Sequence, residues 1–307
     1  MKRLANILFF IIVSAIMIFA QTPLERGALP TYIAPKYFGP NAFAVPEMND
    51  GRTKKELTIE LSANGDLGFA GDRTATLFGK IYIPLFTDRV NLSLWMPMYE
   101  WWSNSVERQK ECRLEGKPLS GNGAGDVYIS TDIMAVREGR YCPSFTVRAA
   151  LRTASGGDYP NARFYDSPGY FFDGTFGKSF FIKKDTDRQI EFRGAISAGF
   201  LCWQTTNARQ NDAVMYGALL AIRHRYISGT LRYSGYVGWE KKGDRPMIIS
   251  AQVRGYIPLK SDKIRQTIQP FAEYQYGLND FPFHTIRIGI GYDIDILRKQ
   301  KNDKQQD

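Results

Sequence analysis

The sequence predicts an all-β chain closed into a transmembrane, antiparallel, up-and-down β-barrel of about twelve strands. Three observations carry this expectation. Apolar residues recur at every second position in segment after segment. Aromatic residues make up 14% of the chain beside 28 glycines, as expected of strands with one apolar and one wet face. The connections between segments alternate in length.

The last segment shows the period best. Ile286, Ile288, Ile290, Tyr292, Ile294 and Ile296 fall on one face, with Thr285, Arg287, Gly289, Gly291, Asp293 and Asp295 on the other. A helix would scatter these isoleucines, whereas a strand gathers them. The same alternation appears at Leu57-Ile59-Leu61, Ile81-Ile83, Leu92-Leu94-Met96, Val127-Ile129, Phe145-Val147-Ala149 and Tyr170-Phe172. It continues at Ile190-Phe192, Val214-Tyr216, Leu231-Tyr233, Ile249 to Ile257 and Ala272-Tyr274-Tyr276, making twelve segments, an even number. Short reversals are expected at Thr87-Asp88-Arg89, Gly139 to Pro143, Lys183 to Arg188, Tyr226-Ile227 and Lys260 to Gln266. The two longest connections, Val106 to Gly125 and Gly156 to Gly169, belong to the opposite end. Outer-membrane barrels pair short periplasmic turns with longer outer loops.

Alternation alone does not say which face meets lipid. Twelve strands enclose more space than the roughly eight whose interior side chains can fill, so the apolar face is expected outside. Closure also pairs every backbone group, as lipid requires. Trp101, Trp102, Trp203 and Trp239, near outer strand ends, are expected in an interfacial girdle.

The ends divide the chain further. Residues 1–20 read as a signal peptide: Lys2 and Arg3, an apolar stretch from Ile7 to Phe19, and Ala20 before Gln21. That stretch is shorter than the about 18 apolar residues of a membrane anchor. Residues 21–53 hold five prolines and no period, an extended periplasmic lead-in. Its aromatics Tyr32, Tyr37, Phe38 and Phe43 are unlike a disordered tail, so it is expected to dock at the barrel mouth as a plug. The barrel spans 54–296, and 297–307 form a charged periplasmic tail.

Three cysteines cannot make a full disulfide framework, and any bridge would join Cys112 to Cys202. Two histidines and no Cys-x-x-Cys pair argue against a metal, and nothing calls for a cofactor. A net charge of +9 without a nucleic-acid motif reads as solvated ends and lumen.

The face opposite the lipid carries Arg148, Arg152, Arg193, Arg223, Arg232, Arg254 and Arg287 with Lys80. It also carries Glu60, Asp132, Glu191, Glu273 and Asp293. As a channel lining, this basic stripe favours small polar or anionic solutes. As a closed lumen, the same residues form a salt-bridged network in a structural or surface-display barrel. The enzymatic alternative, a lipid hydrolase, rests on His284 near an outer strand end, with no serine close by in that strand. His224, near a periplasmic end, suits it less.

Arg287, Gly289, Tyr292 and Ile294 resemble the C-terminal signal read by the outer-membrane barrel assembly machinery, although residues follow it here. Gly123-Ala124-Gly125-Asp126 before Val127 resembles a strand entry in the transporter-like barrels named for a phenol-degradation pathway. Those resemblances imply a bacterial outer-membrane location, with lipids and lipopolysaccharide around the barrel.

Overall fold

The computed structural model describes residues 32–85, 87–165, 167–182, 189–204, 211–240, 242–259 and 265–296. The signal segment, the start of the lead-in, the Lys183–Arg188 reversal, most of the Lys260–Gln266 reversal and the charged tail lie outside them.

The first strands are β1 (Leu57–Gly68), β2 (Arg73–Pro84) and β3 (Val90–Ser103), followed by a short helix α1 (Val106–Cys112) and β4 (Ser120–Gly123). Then come β5 (Tyr128–Val136), β6 (Ser144–Arg152), β7 (Gly169–Ile182), β8 (Ile190–Trp203) and β9 (Asn211–Arg223). The chain ends in β10 (Ile227–Val237), β11 (Met247–Gly255), β12 (Ile257–Leu259), β13 (Gln266–Asn279) and β14 (Phe283–Ile294). Consecutive wall strands pair antiparallel, and β1 pairs with β14 from Leu57↔Ile294 to Gly68↔Phe283, so no edge is left open. β4 is a spur on β3, and β12 continues β11 along β13. The ring therefore contains twelve strands.

The two faces separate as the period requires. Ile59, Leu61, Phe172, Phe176, Leu220, Ile286, Ile288 and Ile290 point outward and are exposed. Thr58, Ser62, Asn64, Asp66, Asn91, Ser93, Thr175 and Thr285 point inward and are buried. Such an exterior is stable against hydrocarbon and would be penalised in water.

The girdle expectation needs correction at two tryptophans. Trp101 is exposed on the wall and Trp239 is exposed just beyond the end of β10, but Trp102 and Trp203 are buried in the lumen. The cause at Trp102 is a bulge: the β2–β3 register slips where Leu77 and Phe78 face Tyr99 and Pro97, which reverses the parity of β3 beyond Met98. Trp203 shares the inward parity of Arg193 and Ser197 on β8, so its place near a strand end does not turn it to lipid.

Inside the ring, residues 33–56 form a strap that descends from the loop end to the end where both β1 and β14 meet the termini. Pro35, Pro40 and Pro46 lack the N–H a sheet needs, and the strap makes no strand pairing among the described residues. A 3-10 turn at Pro35–Tyr37 starts it. At its lower end Gly51 adopts φ +77, where a Cβ would press on Gly177 backbone at 3.0 Å; only glycine suits both constraints. Above the strap, α1 is capped by Ser105, whose side chain accepts the Arg108 N–H.

No disulfide joins the three cysteines; Cys112 and Cys202 are buried and Cys142 is exposed in the β5–β6 turn. That turn lies at the terminal end, and exposed Glu115 lies beyond α1 at the other. A membrane-impermeant maleimide is therefore expected to spare Cys142 on intact cells and to label it once the outer membrane is permeabilised. A Glu115→Cys variant is expected to label on intact cells. Labelling of Cys142 on intact cells would invert the barrel.

Candidate functional site: the occupied lumen

The strap brings a backbone with no strand partner into a buried space, and those of its carbonyl groups that no backbone N–H meets need donors. Wall and loop arginines supply them in order down the barrel. Arg108 of α1 donates to the Lys36 and Phe38 carbonyls at 3.0 and 3.3 Å. Arg152 donates to Ala42 at 2.5 Å, Arg148 to Glu47 at 2.9 Å and Arg193 to Asp50 at 2.6 Å. The Tyr236 hydroxyl donates to Phe43 at 3.1 Å.

The upper half of the lumen is filled. Phe38 and Phe43 of the strap pack with Tyr128, Tyr159, Tyr165, Phe171, Trp203 and Tyr236 in one buried cluster. Trp203 also lies 4.3 Å from the Arg152 guanidinium carbon, a cation–π contact. Beside this cluster, Arg163 from the β6–β7 loop pairs with Glu100 at 2.8 Å and Asp72 at 3.0 Å. Asn41 of the strap donates to the other Glu100 oxygen at 2.6 Å. Sequence reading missed Arg163, Glu100, Asp72 and Arg108. Three of them sit outside regular strand pattern, and Glu100 lies beyond the β3 bulge. In the same loop, burial pushes the Asp158 carboxyl above its ordinary range despite hydrogen bonds from Asn161 and Trp102.

The lower half is polar and hollow. A cavity of about 740 Å³ extends from Glu47 to the mouth residues Lys55 and Arg265. The sequence-derived residues take the following places. Glu60 pairs with Arg254 at 2.6 Å. Arg148 pairs with Asp173 at 2.6 Å, and Arg152 lies 3.7 Å from Asp126. Glu191 pairs with Arg52 of the strap at 2.5 Å, and Arg193 with Glu138 at 2.8 Å. Asp132 accepts from Asn49 of the strap at 3.0 Å and from Asn91 at 2.8 Å. Glu273 is shared by Arg232 at 3.2 Å and Arg287 at 3.8 Å. Lys80 meets Glu47 of the strap at 2.9 Å. Arg223 lies 4.6 Å from the Tyr256 ring centroid at the mouth, and Asp293 accepts from Thr58 at 2.7 Å. Burial alone would raise the Glu138 carboxyl; the Ser179 amide and the Arg193 guanidinium outweigh it and hold it below the usual range.

The remaining candidates separate from this lumen. His284 lies on the outer wall, its Nδ1 2.8 Å from the Tyr274 hydroxyl, with Phe69 and Tyr276 edge-on around it. Gly289 sits on β14 where a Cβ would meet the Phe271 ring at 2.5 Å, and Tyr292 and Ile294 pair with Ile59 and Leu57. Asp126 is buried before β5 and accepts the Gly156 N–H at 2.7 Å.

This closed wall with an apolar exterior is the fold of the bacterial outer-membrane β-barrels. An outer-membrane channel of Pseudomonas putida F1 aligns over 81% of this chain and 99% of its own, with a TM-score of 0.52 and 13% identity. The NanC porin aligns over 76% and 98%, with a TM-score of 0.44 and 10% identity. The KdgM porin in complex with disordered oligogalacturonate gives 76% and 98%, a TM-score of 0.42 and 11% identity. No family model and no curated protein matches the sequence.

Breaking a buried pair leaves an uncompensated charge, with a penalty of about 3–5 kcal/mol. Arg163→Ala is expected to lower the thermal unfolding temperature of the purified barrel far more than Arg137→Ala, whose partner Asp88 sits in an exposed turn. Equal shifts for the two variants would show that the upper network contributes little.

Proposed function

We propose that the protein is an outer-membrane channel for small polar or anionic solutes, closed in this state by its own strap. The observation that carries the reading is how the strap is held. It fills the upper lumen through side-chain packing and two backbone bonds to the loops, Lys36 N–H to Gly243 and Gly39 N–H to Ala162, with no strand pairing among the described residues, above a polar cavity that reaches the terminal mouth. A segment held this way can leave without unzipping the wall.

In the same reading, the barrel belongs with the transporter-like group suggested by the Gly123–Asp126 motif, and β14 carries the signal for the assembly machinery. Lipids and lipopolysaccharide surround its exterior. The enzyme alternative finds little support, because His284 is held among aromatic rings on the outer wall. The filled upper lumen favours one competing reading, a permanently closed scaffold that displays its outer loops.

Deleting residues 21–51 behind the signal segment separates these readings. The channel reading expects a heat-modifiable barrel with single-channel conductance in planar bilayers well above that of the full chain. A deleted barrel that folds and conducts no better would make it a scaffold.

A further inference from the structure

Glu47 stands apart from the other strap side chains held by the wall because several wall cations converge on its one carboxylate. Lys80 of β2 reaches one carboxylate oxygen at 2.9 Å, and Arg232 of β10 approaches the other at 3.6 Å. Arg287 of β14 lies within electrostatic reach. Three cations from three separate wall strands thus surround a single carboxylate.

The wall does not balance them by itself. Glu273 is shared between Arg232 and Arg287, and it also accepts from Gln252 at 2.8 Å. Among the described residues Lys80 has no wall carboxylate of comparable closeness, since the neighbouring Glu60 is bound to Arg254 at 2.6 Å. Without Glu47, the cluster would keep uncompensated positive charge inside the barrel, an unfavourable state until an anion enters.

Access has the matching asymmetry. The Lys80 and Arg232 side chains are each 13% exposed, whereas Glu47 is 43% exposed. Glu47 and Arg232 both line the lower cavity, so a solute rising from the mouth reaches their contact.

We infer that Lys80, Arg232 and Arg287 form a carboxylate-binding subsite of the pore, and that Glu47 is its tethered occupant. A small organic acid takes the place of the Glu47 carboxylate, so that one carboxylate is exchanged for another on the same cations. Loss of the Glu47 contact also loosens the strap at mid-depth. The role in transport rests on the channel reading; the binding does not.

Calorimetric titration of glutarate into the purified, detergent-solubilised full chain tests the binding. A flexible tether presents its group at an effective concentration of millimolar order, so Glu47→Gln is expected to tighten glutarate binding by about tenfold. Adding Lys80→Gln to Glu47→Gln is expected to abolish that gain, and glutaramide, which lacks charge, is expected not to bind. Heat-modifiable mobility identifies folded variants, and Lys80→Met replaces Lys80→Gln if the latter fails to fold. Glutarate binding that is unchanged by Glu47→Gln, or retained without Lys80, overturns the inference. Reversal potentials of the barrel deleted for residues 21–51 separate this outcome from failure of the channel reading. A conducting barrel without anion preference refutes the subsite alone, whereas a non-conducting one refutes the channel and leaves the titration to decide the subsite.

Discussion

The hydrogen bonds from inward arginines to the carbonyl groups of the strap are the constraint on which the rest of the structure depends. An extended, proline-bearing segment cannot satisfy its own backbone, and a closed wall has no free edge to offer it. Arginine solves the problem because its planar head carries several donors on a long stem. It can reach a carbonyl while still facing a carboxylate. Arg148 does so between Glu47 and Asp173, and Arg193 does so between Asp50 and Glu138. A hydrogen bond from a charged donor contributes about 1.5–3 kcal/mol, so a ladder of them holds the strap firmly yet one contact at a time.

The ladder explains why the lumen has two unlike halves. At the top, backbone contacts are joined by aromatic packing of Phe38 and Phe43, which excludes water and closes the passage. Below Glu47 the strap contributes polar groups, Asn49, Asp50 and Arg52, each paired with a wall partner. Water and solutes can compete for such pairs far more readily than for buried rings. The strap is therefore sealed by rings at its outer end and held by polar pairs at its inner end.

The barrel was legible in the sequence because lipid imposes a period of two on every wall strand, and nothing inside the barrel disturbs it for long. Where that period slips, legibility stops. The bulge after Pro97 leaves no mark in composition, so Trp102 reads as outward while the structure turns it inward. Parity assigns Arg148 and Arg152 to an inner face, but it does not reveal their partners. Carboxylates are visible in a sequence, whereas a strap carbonyl is carried by every residue and marks none. Arg163 and Arg108 come from a loop and a short helix with no period, so nothing local points to the lumen. The aromatics of the lead-in carry no period, so the depth at which Phe38 and Phe43 lie is not legible from them.

The strap runs the full height of the barrel, with its N-terminal side at the loop end. Single cysteines at Lys36 and Asp50, in a Cys142→Ser background, test this most directly with an impermeant maleimide. Lys36 contacts Gly243 and α1 at the loop end, and Asp50 lies beside Gly177 near the β5–β6 turn. Labelling is expected at the Lys36 position on intact cells and at the Asp50 position only after the outer membrane is permeabilised. Labelling of both positions only from the periplasmic side would contradict it.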